Sequence, residues 1–308
     1  MALHLNTNKR LRRIFFPFIV FAKWFGRHFP EAMVRIRYFM RFHKRLNLKH
    51  PKTLNEKILW LSLRGDTTLW TQLADKHAVR EYIKGKGLAE ILVPQYAHFS
   101  RAEEIDFSPL PDKFVVKSTH GCGDALLVDD KSKLDISATI KRCEELLKTP
   151  YGELEGGLHY MRMQPGITVE ALLENDAASA KYSASLIDYK FYCFDGKPRY
   201  CMCFLNRRVK VPHDKMFYDT QWNPQTECLI QTGDYQLAPS IPQPKNLERM
   251  LEICEILAAG FPFVRIDLYN LNGKIYFGEY TFTPRGGMIN WLTDEALESM
   301  GNLITLPK

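Results

Sequence analysis

The chain has no CxxC pair. Its seven cysteines are an odd number, and Cys201 and Cys203 stand only two apart. A disulfide framework and a zinc ribbon are therefore excluded, and a reducing cytosol fits best. No segment reaches the roughly 20 apolar residues that a spanning helix needs. The run Phe15–Ala22 stops at Lys23 and continues as Lys23-Trp24-Phe25-Gly26-Arg27, not as the small-residue cleavage site of a secretory signal. Gly-Lys-Ser/Thr opening a helix, GxGxxG after a strand, GxSxG and HExxH are all missing, as is the Asp-x-Asp common in metal-dependent sugar transferases. Neither an internal repeat nor a low-complexity stretch is present.

What remains is an ordinary globular composition, 45% apolar and 25% charged over 308 residues, enough for a sizeable core. The net charge of +7 is unevenly placed. Residues 1–50 hold twelve Lys/Arg against the single acid Glu31, while the rest of the chain has a net charge of −4. Bases interleaved with Trp and Phe in this arm read as a segment lying on an anionic membrane face. The alternative is a basic helix packed on the main domain or on a partner. With the bases confined to one arm and no binding motif, nucleic acid is not expected as a partner.

Thr53 with Glu56 makes a capping box for a helix carrying Leu54, Ile58 and Leu61. A second helix is expected over about Leu69–Lys84, stopping at Gly85 and Gly87. The pattern then changes. Lys113–Lys117 and Ala125–Val128 read as strands around a small-residue turn, Ser118–Asp124. A helix follows over Asp135–Lys148, and strands recur at 167–173, 183–194 and 198–205. The five prolines of 207–245 mark a loop-rich stretch. A helix from Leu247 to Ala259 is capped by Asn246 and closed by Gly260. A hairpin, Phe263–Tyr269 with Lys274–Phe282, ends the pattern. Hairpins broken by single helices indicate an α+β organisation. Its parts are a basic helical arm (1–50), a reduced N-terminal helical region (51–112), a small subdomain (113–173) and a large subdomain (174–308).

The hairpin carries the most chemistry. Arg265 and Asp267 share one face of its first strand; Glu279 and Thr281 share one face of the second. If the loop holds an odd number of residues, Asp267 lies opposite Glu279 and Arg265 opposite Thr281. Like charges at such close range are destabilising unless a cation intervenes, and carboxylates on a rigid sheet suit Mg²⁺ bridging to phosphates. The other reading is a solvated polar hairpin face. An even loop sends the acids to opposite faces. Lys117 closes an apolar strand and needs an anionic partner. The turn Thr119–Asp124, with Gly121 and Gly123, suits either backbone approach to a phosphate or plain flexibility. Lys190 shares a face with Asp188 and Tyr192, placing it either at a phosphate or in a cross-strand pair with an acid. His120 is a base by type, with no visible partner.

Taken in order, Thr53-Leu-Asn-Glu-Lys-Ile, Asp75-Lys-His-Ala-Val-Arg-Glu-Tyr, Phe114-Val-Val-Lys-Ser-Thr-His-Gly-Cys-Gly, Asp188-Tyr-Lys-Phe-Tyr-Cys-Phe-Asp-Gly-Lys-Pro and Phe261-Pro-Phe-Val-Arg-Ile-Asp-Leu-Tyr resemble the TupA-like ATP-grasp family. The similarity runs from about Lys52 to Leu303. It implies a clamp of two α+β subdomains around ATP and Mg²⁺. Lys76 and Lys117 would be the nucleotide-binding lysines, and Thr119–Asp124 the lid, with Thr119, His120, Gly121 and Gly123 at the nucleotide. The backbone of the hinge Val169–Leu173, with Glu170, Leu172 and Leu173, would meet the adenine. Lys190 and Arg265 would hold phosphate oxygens and act in catalysis. Asp267 and Glu279 would be metal ligands, joined by Thr281 where many relatives have asparagine, which puts a second metal in doubt. Residues 51–112 are too few for the doubly wound domain that many relatives carry. The activity implied is ligation of a carboxylate to an amine through an acyl-phosphate. Its expected setting is a surface polysaccharide, with a uronic acid-containing glycan and an amino acid as partners, in the cytoplasm at the inner membrane face. A glycosyltransferase in the same pathways, and a non-catalytic nucleotide-dependent adaptor, are the rival readings.

Overall fold

The computed structural model describes residues 9–149, 151–154, 157–207, 213–233 and 235–307. The first eight residues of the basic arm, and 208–212 and 234 of the stretch read as loop-rich, lie outside the described residues.

The arm is a helical pair, α1 (Lys9–His28) and α2 (Pro30–Phe42). Pro30 starts α2, where its fixed φ and missing N–H carry no penalty, and His43 ends it with a left-handed φ of 53°. One face of α2 buries Met33, Val34 and Tyr38. Val34 and Tyr38 pack with Leu46, Leu48, Leu59 and Met288. Both helices are also pinned to the segment that follows α6 (Ile136–Leu147). Arg27 pairs with the buried Glu153, and Arg37 donates to the Leu154 carbonyl. The packing alternative for the arm is thus realised along one face.

Helix α3 (Leu54–Arg64) opens on the capping box: Thr53 Oγ1 accepts from the Glu56 N–H at 3.3 Å, and Glu56 Oε2 accepts from the Thr53 N–H at 3.1 Å. The long second helix expected from the sequence is broken into α4 (Thr68–Leu73) and α5 (Val79–Gly85). Asp75 is the reason. Its Oδ1 takes the N–H groups of His77 and Ala78, both at 2.8 Å, and a short polar side chain that captures backbone donors restarts a helix instead of continuing one.

The first sheet has the order β1-β4-β2-β3, all antiparallel, from β1 (Gln95–Phe99), β2 (Phe114–Ser118), β3 (Leu126–Val128) and β4 (Ile167–Ala171). Strand β1 was assigned to the helical region by sequence, so this subdomain starts well before residue 113. Its residues, Gln-Tyr-Ala-His-Phe, lack apolar alternation and are mostly half-buried. Along β2 and β4 the two-residue period is clear. Phe114, Val116, Ile167 and Val169 enter a core that includes Cys143 of α6 (Ile136–Leu147). Val115, Lys117, Thr168 and Glu170 face the other way. The short α7 (Leu158–Met161) precedes β4.

The second sheet has the order β10-β9-β5-β6-β7-β8. Its strands are β5 (Asp188–Phe194), β6 (Lys197–Leu205), β7 (His213–Asp219), β8 (Tyr235–Leu237), β9 (Phe263–Leu271) and β10 (Lys274–Thr281). Two of them, β7 and β8, fall in the stretch read as loop. Asp214 and Lys215 hide β7 by breaking its apolar pattern, yet both are buried. Helix α8 (Leu247–Ala258) covers one face of this sheet with Met250, Ile253, Cys254 and Leu257. Asn246 does not cap it; its Nδ2 donates to Gly273 O at 2.9 Å, tying the helix start to the hairpin turn.

The last helix, α9 (Asp294–Asn302), packs against α3 with no room to spare. A Cβ added at Gly301 would lie 2.0 Å from Lys52 O and 2.8 Å from Thr53 C. Gly301→Ala is therefore expected to force the two helices apart and to cost about 1–3 kcal/mol, the usual range for overpacking. A lowered urea midpoint with unchanged slope would show it.

Candidate functional site

The faces turned away from the two cores meet across a cleft of about 520 Å³, within the range of small-molecule sites. Val115, Lys117 and Glu170 line it from the small sheet; Asp188, Lys190, Asp267, Tyr269 and Glu279 line it from the large one. Leu172 and Leu173 form the connection between the sheets. Cys122, Gly123 and Asp124 reach in from the turn after β2.

The hairpin registers as expected, but by a different device. Leu271 pairs with Lys274, so the turn holds two residues, Asn272 and Gly273, with φ of 51° and 79°. That is the Asn-Gly turn that suits strand twist. An even loop alone would put the acids on opposite faces. A bulge at Gly278 inserts one extra residue in β10, and beyond it Glu279 pairs with Asp267 and Thr281 with Arg265. The acids therefore converge.

They are held by a compact charge network. Asp267 accepts from Arg265 Nε at 2.6 Å and Nη2 at 2.8 Å, and from Lys190 Nζ. Arg265 Nη2 also donates to Glu279 Oε1 at 3.2 Å and to Thr281 Oγ1 at 2.9 Å. Burial pushes the Asp267 carboxyl up, against the pull of Arg265 and Lys190. Three donors converge on its two oxygens. Glu279 is part-exposed; desolvation would raise its carboxyl, but Lys190, Arg265, Lys76 and Arg207 hold it at about 2.

The candidates named from the sequence separate into two layers. Lys76, Lys117, Gly123, Glu170, Leu172, Leu173, Lys190, Asp267 and Glu279 line the cleft together. Arg265 does not. Its guanidinium stands on the same face, next to the lining, and pairs with Asp267, Glu279 and Thr281. Lys190 forms the cross-strand acid pair, with Asp267. Lys117 finds its anionic partner in Glu170 Oε2 at 2.7 Å, so the Glu170 side chain, as well as its backbone, belongs to the site. Thr119 and His120 are buried behind the turn, with His120 Nε2 against Thr149 O at 3.2 Å. The Thr119 and Gly121 carbonyls are acceptors for Lys76, whose N–H meets Thr119 O at 3.1 Å and whose Nζ reaches Gly121 O.

Sequence reasoning missed Arg207, Arg80 and Tyr269, all in the lining. Arg207 pairs with Asp188, and its only signal was a position just past strand β6. Among the described residues no group of three His, Cys, Asp or Glu side chains gathers to hold a metal.

Two α+β subdomains facing each other over a cleft lined with lysines and paired acids define an ATP-grasp protein. The chain belongs to the TupA-like ATP-grasp family, whose model matches residues 56–305. Similar solved structures include a D-alanine–D-alanine ligase from Bacillus anthracis complexed with ATP, at 16% identity and TM-score 0.44, covering 75% of this chain and 60% of that one. A D-cycloserine synthetase aligns at 15% identity and TM-score 0.45, covering 77% and 72%. A biotin carboxylase from Campylobacter jejuni aligns at 14% identity and TM-score 0.46, covering 83% and 54%. The chain thus spans less than two thirds of the first of these. No curated protein matches it.

Asp188 gives the cleft a measurable pH signature. Burial would raise its carboxyl, but Lys190 and Arg207 hold it at about 2 against an ordinary 3.8. A carboxyl depressed on folding stabilises the native state above its unfolded pKa, and that contribution fades as pH falls towards the folded value. Stability should drop by on the order of 2 kcal/mol between pH 5 and pH 2 through this group. Urea titrations of Asp188→Asn should show that part of the pH dependence removed.

Proposed function

We propose that the chain is an ATP- and Mg²⁺-dependent ligase that joins a carboxylate to an amine. One observation carries this reading: lysines from both sheets and an opposed carboxylate pair line a single nucleotide-sized cleft. Lys117 on the small sheet and Lys76, hydrogen-bonded to the turn, stand on one side of a triphosphate. Lys190 and Arg207 stand on the other. Leu172, Leu173, Val115 and Leu92 supply the apolar wall for a base.

The donor set fits a magnesium ion. Asp267 and Glu279 offer hard oxygens from adjacent strands, and Mg²⁺ takes one or two carboxylates and completes its shell with phosphates and water. Asp267 and Glu279 would hold it, and when bound it adds positive charge against the phosphate oxygens. Arg265 acts from beside them by fixing both acids and Thr281.

In the proposed reaction a substrate carboxylate oxygen attacks the γ-phosphorus and the bond to ADP breaks. The amine nitrogen then attacks the acyl carbon of the acyl-phosphate, phosphate leaves and the nitrogen loses a proton. Lys117, Lys190 and Arg207 neutralise charge on the transferring group. The turn Thr119–Asp124 serves as a lid that keeps water from the acyl-phosphate. The setting we favour is decoration of a surface polysaccharide or its precursor, with a uronic acid and an amino acid as the pair joined.

Mg-ATP should raise the thermal midpoint of the chain where a UDP-sugar panel does not, and carboxylate–amine pairs should release ADP. Glu279→Gln, chosen because Glu279 is part-exposed and its loss is compatible with folding, should weaken Mg-dependent ATP binding at least tenfold. Stabilisation by UDP-sugars with none by ATP would favour the glycosyltransferase reading.

The arm supports contact with an anionic membrane. No helix among the described residues is long and apolar enough to cross a bilayer. Yet Phe18, Phe21, Trp24 and Phe29 stay exposed on α1 and its end, and Ile36, Phe39 and Met40 on α2. These apolar groups lie within a segment of net charge +11, a combination that seats a helix at the headgroup level. Phe21→Ser with Trp24→Ser should release the chain from phosphatidylserine vesicles in sedimentation without lowering ATP binding.

A further inference from the structure

The cleft face of the large sheet extends past the acids. Phe204 on β6 opposes Asp188, and Lys215 on β7 opposes Phe204, so Lys215 springs from that same face. Its side chain is fully buried, at 0% exposure, and its Nζ has no hydrogen-bond partner.

Its neighbours are aromatic and cationic. Nζ lies 4.9 Å from the Tyr235 ring centre and 5.5 Å from that of Trp291. The Arg285 guanidinium lies over the same two rings, at 5.5 and 5.7 Å, but at the solvent rim, where Arg285 is exposed. Two cations therefore share one aromatic pair, one buried and one exposed. Cation–π attraction is worth about 2 kcal/mol when desolvated, less than the several kcal/mol that burying an ammonium costs. Burial, then Arg285, push the Lys215 ammonium down to about 7.

The loop presenting Arg285 is strained. Arg285, Gly286 and Gly287 have φ of 56°, 68° and 73° in succession. Left-handed backbone at a non-glycine residue costs roughly 1–2 kcal/mol and persists where the surroundings impose it, often at ligand sites. This loop leaves β10 just after Thr281, so the strand that carries Glu279 also positions Arg285.

We propose that Lys215 and Arg285 form an anchoring site for a carboxylate of the non-nucleotide substrate. An oxyanion between them relieves their repulsion and supplies the acceptor that Lys215 lacks. Three strand spacings, about 14 Å, separate β7 from β9, too far for one phosphate to touch both Lys215 and Asp267. The assignment of the anion to the substrate rests on the ligase reading; the anion site itself does not.

Thermal unfolding of the full chain in sodium formate and sodium glucuronate, against sodium chloride at matched ionic strength, tests it. Both carboxylates should stabilise the wild type. Their apparent affinity should fall at least tenfold in Lys215→Met and in Arg285→Gln, with stabilisation by Mg-ATP unchanged. Arg285→Gln, at the exposed rim, decides the matter if the buried substitution does not fold. Absence of any carboxylate-specific effect in the wild type, or equal effects in wild type and variants, overturns the proposal. So does loss of Mg-ATP stabilisation in either variant, which would make this a nucleotide phosphate site. Carboxylate stabilisation that the variants lose, in a chain that Mg-ATP does not stabilise, would uphold the anion site and defeat the ligase reading alone.

Discussion

The mutual neutralisation of Arg265, Asp267, Lys190 and Glu279 is the interaction on which the rest depends. Four charges on three adjacent strands are largely withdrawn from water and satisfied by one another. Each buried member alone would be expensive there, and removing Arg265 or Lys190 from such a set costs about 3–5 kcal/mol because Asp267 remains buried. The arrangement fixes the direction of every dipole before a ligand arrives. A site organised in this way needs little rearrangement when charge shifts during reaction. Arg265 is the centre of it, bonded to Asp267, Glu279 and Thr281.

Both sheets use the same rule to divide labour. Alternate residues of β2 and β4 enter a core or face the cleft, and β5 and β9 do likewise against α8. That alternation is why so much could be read from sequence. Lys117 beside Val115, and Asp188 with Lys190, announce their faces by period alone. The hairpin acids were legible as a pair but not the means of pairing them, since a bulge leaves no mark in composition. Strand β7 was hidden because a buried aspartate and a buried lysine look like surface. The spacing of Arg265 and Asp267 shows their shared face, but not that the guanidinium pairs with both hairpin acids. Arg207 lay past a strand end, where pattern carries no information.

The arm is packed along one side only. One face of α2 is part of the fold, packed on α3 and Met288, while aromatic groups of α1 and α2 remain in solvent. The pairing of Arg27 with Glu153, and of Arg37 with Leu154 O, ties this element to the segment that follows α6. His120, in the turn over the cleft, meets that segment at Thr149.

The bulge at Gly278 sets a parity on the hairpin. Because side chains alternate, a lengthening of the Asn272–Gly273 turn by an even number of residues keeps Asp267 and Glu279 on one side of the sheet. An odd change sends one of them into the apolar layer under α8. Length variation at this turn is thus quantised in twos, unless the bulge is lost in the same step.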